Sequence, residues 1–492
     1  MSLTRKVTSG VAWLASAQVV QRVSGLVITA ILARLLSPED FGLIALAVVA
    51  IGFIKIFTDV GFNSALVQRE QVGEEHLSAT FWLTVAVSLV LTALGVLGSP
   101  LIARLYREPR LVSLLIVLFL TVPISNLGQV SDALLQRRLA FRQLATIDWV
   151  SSLVAGLVGV GLALARAGVW ALVAQNLVLV TVSAAAKMIA ARWLPRLSFK
   201  FKYAREMMTF SVSVLGCTVI NYAAFNIANA LVGGALGVQA LGYYALAFNL
   251  VMLPSMSISG LVTRVMFPAL SSVQSDLPRF RRGYLRMLRI MSSVSLPAII
   301  GLGATAPLLV STVYGDKWIL AVPVLQVLTV VGVLQAVNTS GLVFYALGRP
   351  NLLLGWAAVT LACMTISFAI GVRWGLVGVA LAYVAVSPIV WAGPHLIANR
   401  LIALSNKHFV MAIGPSLCAA VVMGMVVSYL TEYRLLHSAW ANLLLLVGIG
   451  AGLYAGSYAL IGTYMGRRQG GLIAWLSGQH SFEVSTQAGI TS

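Results

Sequence analysis

Lys55 and Asp59 lie four residues apart inside an apolar run from Phe41 to Gln68, followed by Gly61, Phe62 and Asn63. Residues four apart share one helical face, so the two charges can partly neutralise each other. A run of this length crosses about 30 Å of hydrocarbon, which puts both near mid-bilayer, where a charged side chain costs about 2.5 to 3.5 kcal/mol on insertion scales. Two readings are open: a self-satisfied structural ion pair, or one wall of a polar path. Arg22 stands near the middle of the preceding run, with Gln18, Gln21, Gly25 and Thr29 along the same face at steps of three or four. An arginine so deep must face protein or water, either in a cavity or paired with Asp59. Ammonium and guanidinium groups donate to oxygen and gain strength at low dielectric, so Arg22 and Lys55 suit an anionic ligand such as a phosphate or an acidic sugar. Ion coupling alone is the other use for them, and Asp59 is the titratable group best placed for proton coupling.

Other polar positions inside apolar runs are weaker candidates. The seventh run has no charge but aligns Tyr222, Asn226, Asn229 and Gly233; the fourth carries Ser125, Gln129 and Asp132; the tenth carries Gln335 and Asn338. Interhelical hydrogen bonds account for such groups about as well as substrate binding does. Arg264, near the inner end of the eighth run, is the one cation of the second half that can turn toward a cavity, whereas Lys187 is close enough to the inner end of the sixth to snorkel. His76, His395, His408, His437 and His480 are scattered, and Cys217, Cys363 and Cys418 lie in separate apolar runs. Neither set has metal-ligand or disulfide spacing, so no metal and no cofactor is expected. With no GxxxxGK[ST] loop and no loop long enough to carry catalytic side chains, the chain reads as a non-enzyme.

The elements that position these residues follow from composition. The 492 residues are 59% hydrophobic and 10% charged, against roughly 25% charged in soluble domains. An all-α integral membrane protein is implied. Apolar runs of spanning length fall at 9–33, 41–67, 78–103, 111–133, 145–165, 168–191, 207–235, 241–263, 290–313, 320–345, 351–371, 375–398, 409–430 and 440–463, about fourteen transmembrane helices. The net charge of +19 is a topology signal and not a nucleic-acid footprint: of 33 Lys and Arg, 22 fall in one set of loops and 8 in the other, with Arg22, Lys55 and Lys187 inside spans. Both termini are therefore expected in the cytoplasm. Arg5 and Lys6 precede the first run without a cleavage site, so that run is expected to be retained.

An internal repeat divides the chain. Leu36 to Ala47 (LSPEDFGLIALA) matches Leu236 to Ala247 (LGVQALGYYALA) at an offset of 200, with Gly42 on Gly242; Arg166 to Ala174 (RAGVWALVA) matches Arg373 to Leu381 (RWGLVGVAL) at an offset of 207. The pattern implies two six-helix pseudo-repeat lobes, 1–205 and 206–405, an additional helix pair at 406–466 and a flexible tail at 467–492. Repeats of this kind are common in transporters. The linker SFKFKYAR, Ser198 to Arg205, suits an anionic lipid surface, and Ser271 to Arg289 can form a basic interfacial helix leading into the ninth span.

Leu32 to Leu46 (LARLLSPEDFGLIAL), Thr58 to Arg69 (TDVGFNSALVQR) and Leu134 to Ala145 (LLQRRLAFRQLA) together resemble the Wzx-type polysaccharide flippases of the multidrug/oligosaccharidyl-lipid/polysaccharide exporter superfamily, in particular the colanic acid and exopolysaccharide export branch. The resemblance implies a MATE-like fold and translocation of an undecaprenyl-diphosphate-linked oligosaccharide across the bacterial inner membrane by alternating access. It also implies substrate-facing cations at Arg22, Lys55 and Arg264, beside which the residue pattern itself offers Gln18, Asn226 and Asn229 as polar substrate contacts and Asp59 for ion coupling. Partners implied are the lipid-linked substrate, membrane lipids and a polysaccharide polymerase with its export machinery, with no nucleic acid. An ion-coupled efflux antiporter of small amphiphiles and a non-transporting scaffold of a polysaccharide synthesis complex are the alternatives. The first would favour acidic residues in its cavity, and the second leaves the intramembrane charges of the first two runs unexplained.

Overall fold

The computed structural model describes residues 20–58, 73–196, 201–349, 351–433 and 435–468, and among them it contains no β-strand. The helices are α1 (20–35), α2 (Pro38–Thr58), α3 (Glu74–Tyr106), α4 (Arg110–Arg137), α5 (Phe141–Leu164), α6 (Trp170–Ala191), α7 (Phe201–Leu236), α8 (Val238–Ser271), α9 (Leu277–Ala304), α10 (Ala321–Ala346), α11 (Asn351–Gly371), α12 (Gly375–Leu401), α13 (Asn406–Thr431) and α14 (Ala439–Arg468). In hydrocarbon only structures that pair their own backbone groups persist, which is why apolar runs of this length fold as helices. Twelve helical stretches among the described residues are long and apolar enough to cross a membrane, against the expected fourteen; one of them, Asn351–Leu401, holds both α11 and α12. The described part of α1 is too short to span on its own, and the rest of that expected span lies outside the described residues.

Contacts group the chain into two compact units, Met1–Ala245 and Leu246–Ser492. In the first unit α5 lies along α6, and all three segments of α4 pack on α6. The α4 helix is interrupted at Leu120 and again at Gly128. At the second break α4 lies close to α6: a Cβ on Gly128 would come within 2.9 Å of the Ala184 Cα, so two small residues let the backbones approach. Ile28 and Leu32 of α1, with Leu36 just after it, share an apolar cluster with Ala163, Ala171 and Leu172 at the α5–α6 corner. Leu77, Phe81, Val130, Leu144 and Trp193 form another at a second level.

The repeated motif meets itself within this unit. A Cβ on Gly42 would sit 1.7 Å from the Val238 carbonyl oxygen, and a Cβ on Gly242 would sit 1.9 Å from that of Pro38. Residues 38 and 42 thus contact 242 and 238, each pair shifted by the repeat offset, which is the signature of a local two-fold. The second sequence match also has a backbone counterpart: Gly168 at the α5–α6 corner has φ +57° and Gly375, the first residue of α12, has φ +74°, a left-handed region that glycine adopts without strain.

In the second unit α9 packs along α13, and α14 packs on α13. Ser292 donates to Ser416 across the α9–α13 contact at 3.3 Å, and Tyr454 of α14 donates to the Ser293 carbonyl at 2.8 Å. The terminal helix pair is therefore docked on α9. The basic segment expected to lie at an interface is continuous with the ninth span: α9 begins at Leu277 with Asp276 as its N-cap, accepting from the Arg279 amide at 3.0 Å. Its Phe280, Tyr284, Leu285 and Leu288 are buried in the unit's core while Arg279 and Arg282 remain exposed. Loss of such a cap costs about 0.5 to 2 kcal/mol. Asp276→Ala is expected to destabilise the second unit by about 1 kcal/mol, read as a lower thermal midpoint in detergent, with Asp276→Ser close to wild type.

Candidate functional site

Three helix faces of the first unit turn polar groups inward at one level. On α4, Ser125, Gln129 and Asp132 recur at helical spacing; on α5, Asp148 and Ser151 lie three apart; on α6, Ser183, Ala184 and Lys187 share a face. The Gly128–Ala184 contact fixes the register, because Asp132 lies one turn beyond Gly128 and Lys187 almost one turn beyond Ala184. The Lys187 Nζ sits 2.9 Å from Asp132 Oδ1 and 3.4 Å from Asp148 Oδ1. Gln136 donates from Nε2 to the other Asp132 oxygen at 2.5 Å, anchoring that carboxylate on its own helix.

These groups border a cavity of about 550 Å³. Gln21 of α1 and Lys55 of α2 complete its lining, together with Asn126, Gln129 and Ser151. Asn126 and Ser151 are 2% and 1% exposed, and neither the Asn126 Nδ2 nor the Ser151 Oγ has a hydrogen-bond partner among the described residues. An unpaired buried polar group carries a desolvation penalty of about 1–3 kcal/mol, so both donors are costly where they stand. On the α1 side, Trp149 Nε1 donates to Ser24 Oγ at 3.3 Å and ties α5 to α1.

A second cavity of about 520 Å³ is almost wholly apolar. It is bordered by Val49, Phe53 and Phe57 of α2, Leu94 and Gly95 of α3, Phe119 of α4 and Ile227 of α7, with Tyr222 and Asn226 as its polar members. Tyr222 donates to the Val49 carbonyl at 2.9 Å, and Asn226 donates to the Tyr222 carbonyl at 3.0 Å.

Of the residues expected from the sequence, Lys55 lies half-buried in the lining of the polar cavity, as does Gln21. Arg22 is exposed on α1, outside that lining. Asn226 borders the apolar cavity, and Asn229, half-buried one turn further on, leaves its Oδ1 without a hydrogen-bond partner among the described residues. Gln18 and Asp59 lie outside the described residues, as does the side chain of Arg264. Lys187 does not snorkel: it points inward to two carboxylates. Asp148 was not singled out by its pattern, because it stands at the very start of an apolar run. The signal that finds this triad is depth, since Asp132, Asp148 and Lys187 each fall within a few residues of the same end of three successive spans. Among the described residues no group of His, Cys, Asp and Glu is arranged to hold a metal ion.

Residues 31–323 match the family described as "Polysaccharide biosynthesis protein". The chain is 29% identical to the teichuronic acid biosynthesis protein TuaB of Bacillus subtilis, over 94% of this chain and 97% of that protein. It is 29% identical to the lipopolysaccharide biosynthesis protein WzxC of Escherichia coli, over 72% of each. The fold is similar to that of the lipid II flippase MurJ in an inward closed conformation, with TM-score 0.73, 16% sequence identity, and coverage of 91% of this chain and 98% of that one.

Proposed function

We propose, from the premise that this chain belongs to the polysaccharide biosynthesis protein family, that it is a flippase carrying an undecaprenyl-diphosphate-linked oligosaccharide across the bacterial inner membrane by alternating access. The observation that carries the reading is a polar cavity within membrane-spanning helices, with Lys55 and Lys187 in its wall. A diphosphate is barred from hydrocarbon by the loss of its hydration, and amines in a water-accessible cleft replace that hydration while the prenyl tail stays in lipid. In this reading Lys55 contacts the diphosphate. Arg22 and Arg264, with Gln18, Asn226 and Asn229, serve the saccharide and its path, and Asp59 belongs to ion coupling. The repeat lobes 1–205 and 206–405 are the units that exchange access, and the termini lie in the cytoplasm. The relatives support this reading by their names in polysaccharide biosynthesis, and the flippase MurJ by its fold.

The test is transport by the full chain in proteoliposomes, using a fluorescent prenyl-diphosphate oligosaccharide whose exposure on the outer leaflet is read by quenching. Lys55→Ala is expected to reduce the initial rate by about tenfold or more, the scale of one lost charge-assisted contact, while leaving the amount of folded protein unchanged. Wild-type rates in both Lys55→Ala and Arg22→Ala would remove the case for a cationic binding site.

A further inference from the structure

The polar cavity carries acid as well as base. Lys55 from α2 and Lys187 from α6 face it together with Asp132 from α4 and Asp148 from α5, so its charged lining is neutral overall. The two carboxylates differ in what they have left to give. Asp132 accepts from Lys187 at 2.9 Å on one oxygen and from Gln136 at 2.5 Å on the other, so both its oxygens are engaged. Asp148 lies 3.4 Å from the same ammonium, longer than the roughly 2.7–2.9 Å of a charge-assisted hydrogen bond, and its side chain is 45% exposed. Its Oδ2 has no partner among the described residues. Ser183, one turn before Lys187 on α6, and Gln21 of α1 also line the cavity, part-exposed, and neither side chain has a hydrogen-bond partner among the described residues. Lys187 has three N–H donors for two carboxylates, which leaves one over.

We propose that the α4–α5–α6 side of this cavity is a saccharide subsite for a neutral sugar, the one bonded to the diphosphate, and that Asp148 selects against an acidic sugar there. The inference rests on the flippase reading and narrows its substrate. A ring of hydroxyls both donates and accepts, and the accessible groups offer both senses: a carboxylate that only accepts, an ammonium that only donates, and a hydroxyl and an amide that do either. Adjacent hydroxyls of a pyranose stand about as far apart as two hydrogen-bonded atoms, and so do Asp148 Oδ1 and Lys187 Nζ. One hydroxyl therefore donates to Asp148 while its neighbour accepts from Lys187. Lys55, on α2, remains the contact for the diphosphate. A uronic acid in place of the neutral ring would bring a second carboxylate against Asp148, and like charges brought together at a recognition site exclude the wrong partner. A volume of about 550 Å³ is of the scale that encloses a compact ligand, with room for one sugar beside the diphosphate and the rest of the repeat unit outside.

Three short-chain prenyl diphosphates test this, one carrying glucose, one glucuronic acid and one only a methyl cap, so that all share the same diphosphate diester. Their affinities for the full-length detergent-solubilised protein are measured by calorimetry at neutral pH, where a uronic acid is fully ionised. Wild type is expected to bind the glucose probe about fivefold or more tighter than the methyl probe, the scale of one or two net hydrogen bonds. The glucuronate probe is expected to bind about tenfold or more weaker than the glucose probe. Asp148→Asn is expected to bring the two sugar probes within about twofold of each other, because an amide does not repel the uronate. Ser183→Ala, which leaves both ion pairs in place, is expected to cut the advantage of glucose over methyl by about half or more while glucuronate stays excluded. Should Asp148→Asn not fold, Ser183→Ala and the wild-type order of the three probes carry the test. Glucuronate bound as tightly as glucose by wild type, an unchanged ratio in Asp148→Asn, or glucose bound no tighter than methyl overturns the subsite and leaves the flippase reading intact. Failure of folded wild type to bind any of the three overturns the flippase reading along with the subsite.

Discussion

Substituting Gly42 by alanine is expected to separate α2 from the first turns of α8 and to destabilise the protein by about 3 kcal/mol or more, at the upper end of overpacking penalties. The added Cβ would stand 1.7 Å from the Val238 carbonyl oxygen, a backbone atom that no rotamer change can move aside. Gly242→Ala meets the mirror obstacle, 1.9 Å from the Pro38 carbonyl. Because one separation of the two backbones relieves both clashes, the double variant is expected to be little worse than either single one. Residues in direct contact are where additivity fails, and the double-mutant cycle measures that failure. Thermal unfolding of the two single variants and the double variant in detergent is the check. Losses that add fully would show that the two glycines act at independent places, and the local two-fold would lose its energetic meaning. Transport should fall in parallel, since about 3 kcal/mol moves any equilibrium that depends on this contact by roughly a hundredfold.

That contact also marks how far the sequence is legible. The offset of 200 between LSPEDFGLIALA and LGVQALGYYALA is visible in the letters, and so is the pairing of Gly42 with Gly242. That the two copies touch is not, because a small residue records only that something comes close, and not what. Helix positions read well since the bilayer imposes a length on every run. The breaks at Leu120 and Gly128 within α4 did not, as hydropathy is blind to a change of axis inside an apolar stretch. The polar cavity was half legible. Lys55 stood out by its depth, but Lys187 and Asp148 lie near span ends, where a charge has the interface as an alternative. Only packing decides between snorkelling outward and pairing inward, and here the approach of α4 to α6 at Gly128 and Ala184 decides for the latter.

The cavity's dependence on that approach gives the second large effect. Gly128→Leu is expected to force α4 away from α6 and to break the Lys187–Asp132 contact, while the contact to Asp148 on α5 persists, since α5 packs directly along α6. Overpacking of a tight helix crossing costs about 1–3 kcal/mol. A weakened ion pair inside the bundle adds to that, because a charge left without its partner in a low-dielectric setting is worse than no pair at all. Gly128→Ala is the graded version: its Cβ would lie 2.9 Å from the Ala184 Cα and 3.2 Å from the Ala184 Cβ, so Ala184→Gly removes one of the two obstacles. The double variant Gly128→Ala with Ala184→Gly is therefore expected to recover part, but not all, of the stability lost by Gly128→Ala alone. Asp132→Asn in the Gly128→Leu background should cost little further, because the contact it would remove is already gone. A full additional penalty from Asp132→Asn in that background would mean that Asp132 and Lys187 stay together when α4 and α6 are pushed apart, and the register argument that assembles the cavity from a glycine and an alanine would fail.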